Sequence, residues 1–103
     1  MKRGRRRPVV TSRNKTYLDS VREFIIIEHG LNKYYVDLRL NHLATEGDVL
    51  NEILQLHEKA WCDGKTLHDF LTILQEAVQL RFNIDLRALK GGRLNWKEGK
   101  IER

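Results

Sequence analysis

Residues 45–82, TEGDVLNEILQLHEKAWCDGKTLHDFLTILQEAVQLRF, are the stretch on which the reading of this chain turns. Val49, Leu50, Ile53, Leu54, His57, Ala60 and Trp61 recur at three- and four-residue spacing, which lays them along one side of a helix. Leu67, Phe70, Leu71, Leu74, Ala77, Val78 and Phe82 repeat that period, and Ile73 and Leu80 widen the apolar face. Thr45-x-x-Asp48 and Thr66-x-x-Asp69 have the spacing of capping boxes, and Gly64 suits the left-handed residue that closes a helix. The expectation is an antiparallel helical hairpin over about 46–62 and 67–82, with Asp63-Gly64-Lys65 as its turn.

Upstream, Thr16-x-x-Asp19 repeats the capping pattern, and Leu18, Val21 and Ile25 follow at helical spacing up to Gly30. A further helix over 17–29 is therefore expected, although the β-branched run Phe24-Ile25-Ile26-Ile27 favours a strand. Two templates fit residues 31–43. Leu31, Tyr34, Tyr35, Leu38 and His42 suit a helix, while Val36-Asp37-Leu38-Arg39-Leu40-Asn41 alternates as a half-buried strand does. A β-hairpin of 23–28 with 34–40 is the competing arrangement. The fold expected from these patterns is mainly α, with α+β as the alternative. One folded domain would span 16–89, between a disordered basic tail at 1–15 and a second basic tail at 90–103.

Charge placement says more than the net +5 of the 103 residues. Residues 1–15 carry seven Lys or Arg and no acid, residues 16–85 balance at −6, and residues 86–103 balance at +4. An acidic body between basic ends points to polyanion contact through the ends. Lys2, Arg3, Arg5, Arg6, Arg7, Arg13 and Lys15 form the first candidate nucleic-acid contact, because guanidinium groups grip phosphates without a fold around them. Arg93, Trp96 and Lys97 form the second, with the indole available to stack on a base. The competing reading of Trp96 is that it packs back on the helices.

The lone Cys62 excludes an intramolecular disulfide framework, and no C-x-x-C is present. His57 and Cys62, five residues apart, have the wrong spacing for a shared metal on one helix face. No Gly-rich phosphate loop or G-x-S-x-G occurs, and Cys62 near a helix C-terminus faces a raised thiol pKa. Neither a metal, a cofactor nor catalysis is expected. No apolar run reaches the roughly 18 residues that cross a bilayer, and the basic start lacks a signal-like apolar core, so a cytoplasmic protein without membrane contact is expected.

A strand at Tyr34–Leu40 followed by two helices joined at Gly64-Lys65-Thr66 resembles the element order of ribbon-helix-helix DNA-binding proteins over residues 34–82. The chain departs from that pattern in the long interval after Leu40, in the length of its helices, and in Asp37, whose charge would project at the DNA. The functional expectation is a non-catalytic nucleic-acid-associated protein, a small RNA-binding or ribosome-associated component more than a DNA-binding one. The alternatives are a small DNA-binding regulator, and an adaptor or regulatory subunit that offers the apolar hairpin surface to a protein partner or to a second copy.

Overall fold

The computed structural model describes residues 14–40 and 43–103. Its elements run β1 (Asn14–Asp19), β2 (Phe24–His29), β3 (Asn32–Asp37), α1 (Glu46–His57), α2 (Gly64–Phe82), a 3-10 turn (Leu86–Ala88), β4 (Arg93–Asn95) and β5 (Lys100–Glu102). The fold is α+β, and the mainly α expectation is overturned by the first third of the described chain. There an antiparallel sheet of order β1-β2-β3 stands where the helix over 17–29 was expected.

The physical reason is visible in the register. Leu18 and Ile25 share a face because they are partners across a hairpin, not because they are seven apart on a helix. Val21, the residue between them in the apparent helical stripe, sits 86 % exposed on the connecting turn. Asp19, read as part of a capping box, accepts hydrogen bonds from the Val21 and Arg22 amides at 3.2 and 3.1 Å and so shapes that turn. Glu23 closes it in the left-handed region at φ 60°. The triple-isoleucine run then alternates as a strand must: Ile25 and Ile27 enter the core, while Ile26 points to the opposite face. Gly30, at φ 60°, opens the two-residue link to β3, a position where a side chain would be strained. The β2–β3 hairpin thus exists with a tighter loop than the 23–28 with 34–40 pairing, in the register Ile25↔Val36 and Ile27↔Tyr34.

The helices lie within the 45–82 stretch with changed ends. Thr45 and Asp48 form the capping box of α1, at 3.1 Å from the Asp48 amide to the Thr45 hydroxyl. The helix stops at His57, five residues short of 62. At the second start Asp63 is the N-cap, accepting from the Thr66 amide at 2.8 Å, so Gly64 begins α2 rather than ending α1. Asn83 ends α2 in the left-handed conformation, at φ 59°. Phe70, Leu74, Ala77, Val78 and Phe82 form its buried side and pack with Ile25, Ile27, Val36 and Leu38 of the sheet. Leu54 and Leu71, expected inside, are exposed, and Glu52 is buried instead.

Residues 93–102 are not a free tail but an antiparallel β4–β5 hairpin. The Leu94 amide donates to Ala44 O at 2.7 Å, and Arg103 Nη1 donates to Leu89 O at 2.8 Å, so both strands are tied to the body. Of the first basic tail, residues 1–13 lie outside the described residues, and Asn14 and Lys15 belong to β1.

Candidate nucleic-acid interface

Trp96 is 4 % exposed and closes the core from below α2. Its indole Nε1 donates to Leu43 O at 2.7 Å, and its ring meets Phe82 edge-on at 4.9 Å between centroids. Arg81 fixes the backbone behind it, with Nε on Trp96 O at 2.9 Å and Nη2 on Lys97 O at 2.6 Å. The indole face is therefore spent on packing, and Arg93 and Lys97 stand exposed beside a Trp that cannot stack on a base. Of the other sequence candidates, Lys2, Arg3, Arg5, Arg6, Arg7 and Arg13 lie outside the described residues, and Lys15 is exposed on β1.

Lys15 leads to a set of side chains that the helical reading concealed. Strand alternation turns Asn14, Thr16 and Leu18 toward the helices and Lys15, Tyr17 and Asp19 away from them. Asn14 Nδ2 donates to Trp61 O at 2.8 Å, Tyr34 OH donates to Glu52 Oε2 at 3.0 Å, and His29 stacks on Trp61 at 5.4 Å, which fixes the inner face. The outer face then carries three cross-strand rows: Lys15, Glu28, Lys33; Tyr17, Ile26, Tyr35; and Asp19, Phe24, Asp37. Tyr35 is 52 % exposed, and Phe24 meets it edge-on at 6.0 Å. Ile26 is buried without belonging to the core, flanked by Tyr17 and Tyr35 on the neighbouring strands.

The electrostatics of that face are graded. At one end Tyr17 OH donates to Glu28 Oε2 at 2.6 Å, and Lys33 Nζ lies 3.7 Å from the same oxygen. The Tyr17 hydrogen bond, aided by the charges of Lys33 and Lys15, holds the Glu28 carboxyl below its ordinary pKa, and the same hydrogen bond, with burial and the Glu28 charge, lifts the Tyr17 phenol. Two lysines around one carboxylate leave this end net positive. At the other end Asp19 and Asp37 are engaged by backbone: Asp37 Oδ1 accepts from the Arg39 and Leu40 amides at 3.0 and 3.1 Å. Arg22 also binds Asp19 Oδ2 at 3.0 Å and lies 6.0 Å from the Phe24 ring centroid. The signal that reveals the face in the sequence is the alternation Lys15-x-Tyr17-x-Asp19 and Lys33-x-Tyr35-x-Asp37, legible only once both segments are read as strands.

A concavity of about 960 Å³ lies between α1, α2 and the 3-10 turn. Val49, Leu50, Ile53, Leu71 and Leu86 supply its apolar surface, with Glu46, His68, Asp85 and Arg87 at its polar margin. The Arg87 guanidinium, 2.9 Å from Asp85 Oδ2, holds that carboxyl down at about 2. His57, expected on the apolar stripe of its helix, is exposed. Cys62 lies beyond the end of α1, and its thiol is pushed up by burial and by Asp63 rather than by a helix terminus. Among the described residues no cluster of His, Cys, Asp and Glu has metal-binding geometry. Among the same residues no helix is long and apolar enough to cross a membrane.

No family model matches the chain, and no solved structure matches it. Over 42 residues it is 40 % identical to the 26S proteasome non-ATPase regulatory subunit 14 of Drosophila melanogaster, a match covering 41 % of this chain and 13 % of that protein. Over 42 residues it is likewise 36 % identical to the 26S proteasome regulatory subunit RPN11 of Eremothecium gossypii, with the same coverage. The chain thus spans about 13 % of the length of the curated relatives it matches, a likeness confined to a segment.

Proposed function

We propose that this chain is a non-catalytic, cytoplasmic nucleic-acid-associated protein, a small RNA-binding component of a ribonucleoprotein. One observation carries the reading. The run containing Lys2, Arg3, Arg5, Arg6, Arg7 and Arg13 leads directly into Asn14, the first residue of β1, whose outward side chains Lys15 and Tyr17 begin an aromatic face with two lysines at its near end. Counterion release by the basic run supplies affinity that is blind to sequence. Arginine clusters do this without prior order, which suits a contact that forms on the partner. RNA is favoured over duplex DNA because the described body offers an aromatic sheet face and no exposed helix bearing a row of cations.

Salt dependence tests the proposal. Removing residues 2–13 takes away six positive charges and leaves every strand and helix of the body in place. With a slope of about −0.7 per phosphate contact on single strands, most of six contacts predict that log affinity falls by roughly 3 to 4 per tenfold rise in salt. The deletion should flatten that slope. An unchanged slope and affinity in the deleted chain would contradict the proposal.

A second reading, an interaction module for a protein, is favoured by the groove between α1 and α2, where Leu50 and Leu71 remain exposed. Its apolar lining suits the nonpolar side of an amphipathic helix from a partner. Such binding would be indifferent to salt or strengthened by it, the opposite of the first reading. The 42-residue likeness to proteasome regulatory subunits is too short to bring an activity or an assembly to this chain.

A further inference from the structure

We infer that the outer face of the β1-β2-β3 sheet is a stacking site for two bases of a single-stranded nucleic acid, with Tyr17 and Tyr35 as the platforms and Lys15 and Lys33 as the phosphate contacts. This rests on the nucleic-acid reading above and adds to it a defined site with a base-dependent contribution. Tyr17 and Tyr35 are both register partners of Ile26, on opposite sides of it. Two strand spacings of about 4.8 Å put their Cα atoms roughly 10 Å apart. That separation seats two splayed bases of an extended strand on either side of the isoleucine, which supplies an apolar floor between them. Phe24, edge-on to Tyr35 at 6.0 Å on the same outer face, flanks the second platform.

Charge chooses the occupant. Glu28 answers one of the two lysine charges, so an apolar peptide side would leave a net positive charge at that end of the sheet unanswered, and a polyanion would not. Both lysines lie in the row next to Asn14, the residue that follows the basic run in the sequence, so the cations of the run and those of the sheet are contiguous along the chain. Glu28, held by Tyr17 OH at 2.6 Å and facing Lys33 at 3.7 Å, orients the Tyr17 ring and spaces the two cations. The acidic row at the other end is tied into turns by the Asp19 and Asp37 hydrogen bonds, which makes the site directional: phosphates at the lysine end, bases over the rings. A paired duplex has no free base faces to offer, so single strands are the ligand class.

The test uses the full chain and two fluorescein-labelled strands of equal length, oligouridine and its abasic counterpart, which carries the same phosphates and no bases. The wild type should bind oligouridine more tightly than the abasic strand. Tyr35→Ala should weaken oligouridine binding by roughly 5- to 100-fold while leaving abasic binding and the salt slope unchanged. Tyr35→Val, which keeps a β-branched strand residue without a ring, should behave likewise and covers the case in which the alanine variant does not fold. Tyr17→Val, which removes the other ring, should weaken oligouridine binding as Tyr35→Val does and leave abasic binding unchanged. Equal binding of both strands by the wild type, with a steep salt slope, would overturn the stacking site and leave the phosphate reading standing. Equal oligouridine affinity in Tyr35→Val and wild type would overturn it as well. Failure of the wild type to bind either strand would overturn the nucleic-acid reading itself, and the stacking site with it.

Discussion

Replacing Trp96 by Ala separates the two roles that a tryptophan in a basic segment can have. The side chain is 4 % exposed, donates to Leu43 O at 2.7 Å and meets Phe82 edge-on at 4.9 Å. Truncation removes the contact with Phe82 of α2 and opens a cavity in the core, which costs about 3 to 5 kcal/mol. Loss of the indole donor, which leaves the buried Leu43 carbonyl unpaired, is part of that figure and is isolated by Trp96→Phe, at about 1 to 3 kcal/mol. For a chain near 100 residues each kcal/mol lowers the melting temperature by about 4 to 8 °C. Trp96→Ala should therefore melt at least 12 °C below wild type, about three times the smaller increment. Circular dichroism melts give the first number, and RNA titration well below the transition gives the second, in which affinity should be unchanged. A variant that melts within about 2 °C of wild type and loses RNA affinity would refute this assignment and return Trp96 to the nucleic acid.

Three further outcomes check the packing and electrostatics. Leu74→Ala should lose about 2 to 5 kcal/mol because Leu74 is wholly buried, whereas Leu71→Ala, at a side chain 38 % exposed, should lose less than about 1; chemical denaturation decides between them. Tyr34→Phe should destabilise by about 1.5 to 3 kcal/mol, since it leaves the Glu52 carboxylate, 7 % exposed, without the phenol at 3.0 Å; an unchanged denaturation midpoint would mean that the pair is not formed. Burial first and Glu52 second push the Tyr34 pKa from 10.0 up to about 12, so its contribution to stability is complete below pH 10 and is lost as pH rises through 12. Ultraviolet titration should find a tyrosine step near 12 that Tyr34→Phe removes, and the absence of that step in the wild type would contradict the pairing.

The helices were legible because their signals are local. Thr45 and Asp48 sit three residues apart at a helix start, and Phe70, Leu74, Ala77 and Val78 repeat at helical spacing in a segment long enough for the period to dominate. The sheet was not, because Leu18, Val21 and Ile25 imitate that period by accident of a hairpin: two are cross-strand partners and one is at the turn. The triple isoleucine was the correct counter-signal, and β-branching outweighed spacing once Ile25 and Ile27 had a helix to pack against. Leu54 and Leu71 of the apolar stripes are exposed because the core lies between helix and sheet rather than between two helices, which rotates the buried side of each helix toward the strands. For the same reason Tyr17 and Tyr35 could not be recognised as one face. Their kinship depends on a register between strands, which no periodicity within either segment records. Trp96 was ambiguous in the sequence, and its decisive partner, Leu43 O, is 53 residues away.

The central claim, that the sheet and the basic run leading into it are the nucleic-acid surface, is addressed most directly by backbone amide shift mapping of the full chain titrated with a short oligouridine. The account predicts that the perturbed amides cluster at Lys15, Tyr17, Ile26, Glu28, Lys33 and Tyr35 and within residues 2–13, with those of Leu50, Ile53 and Leu71 unmoved. Perturbations confined to the groove between α1 and α2, or none at saturating strand, would contradict it.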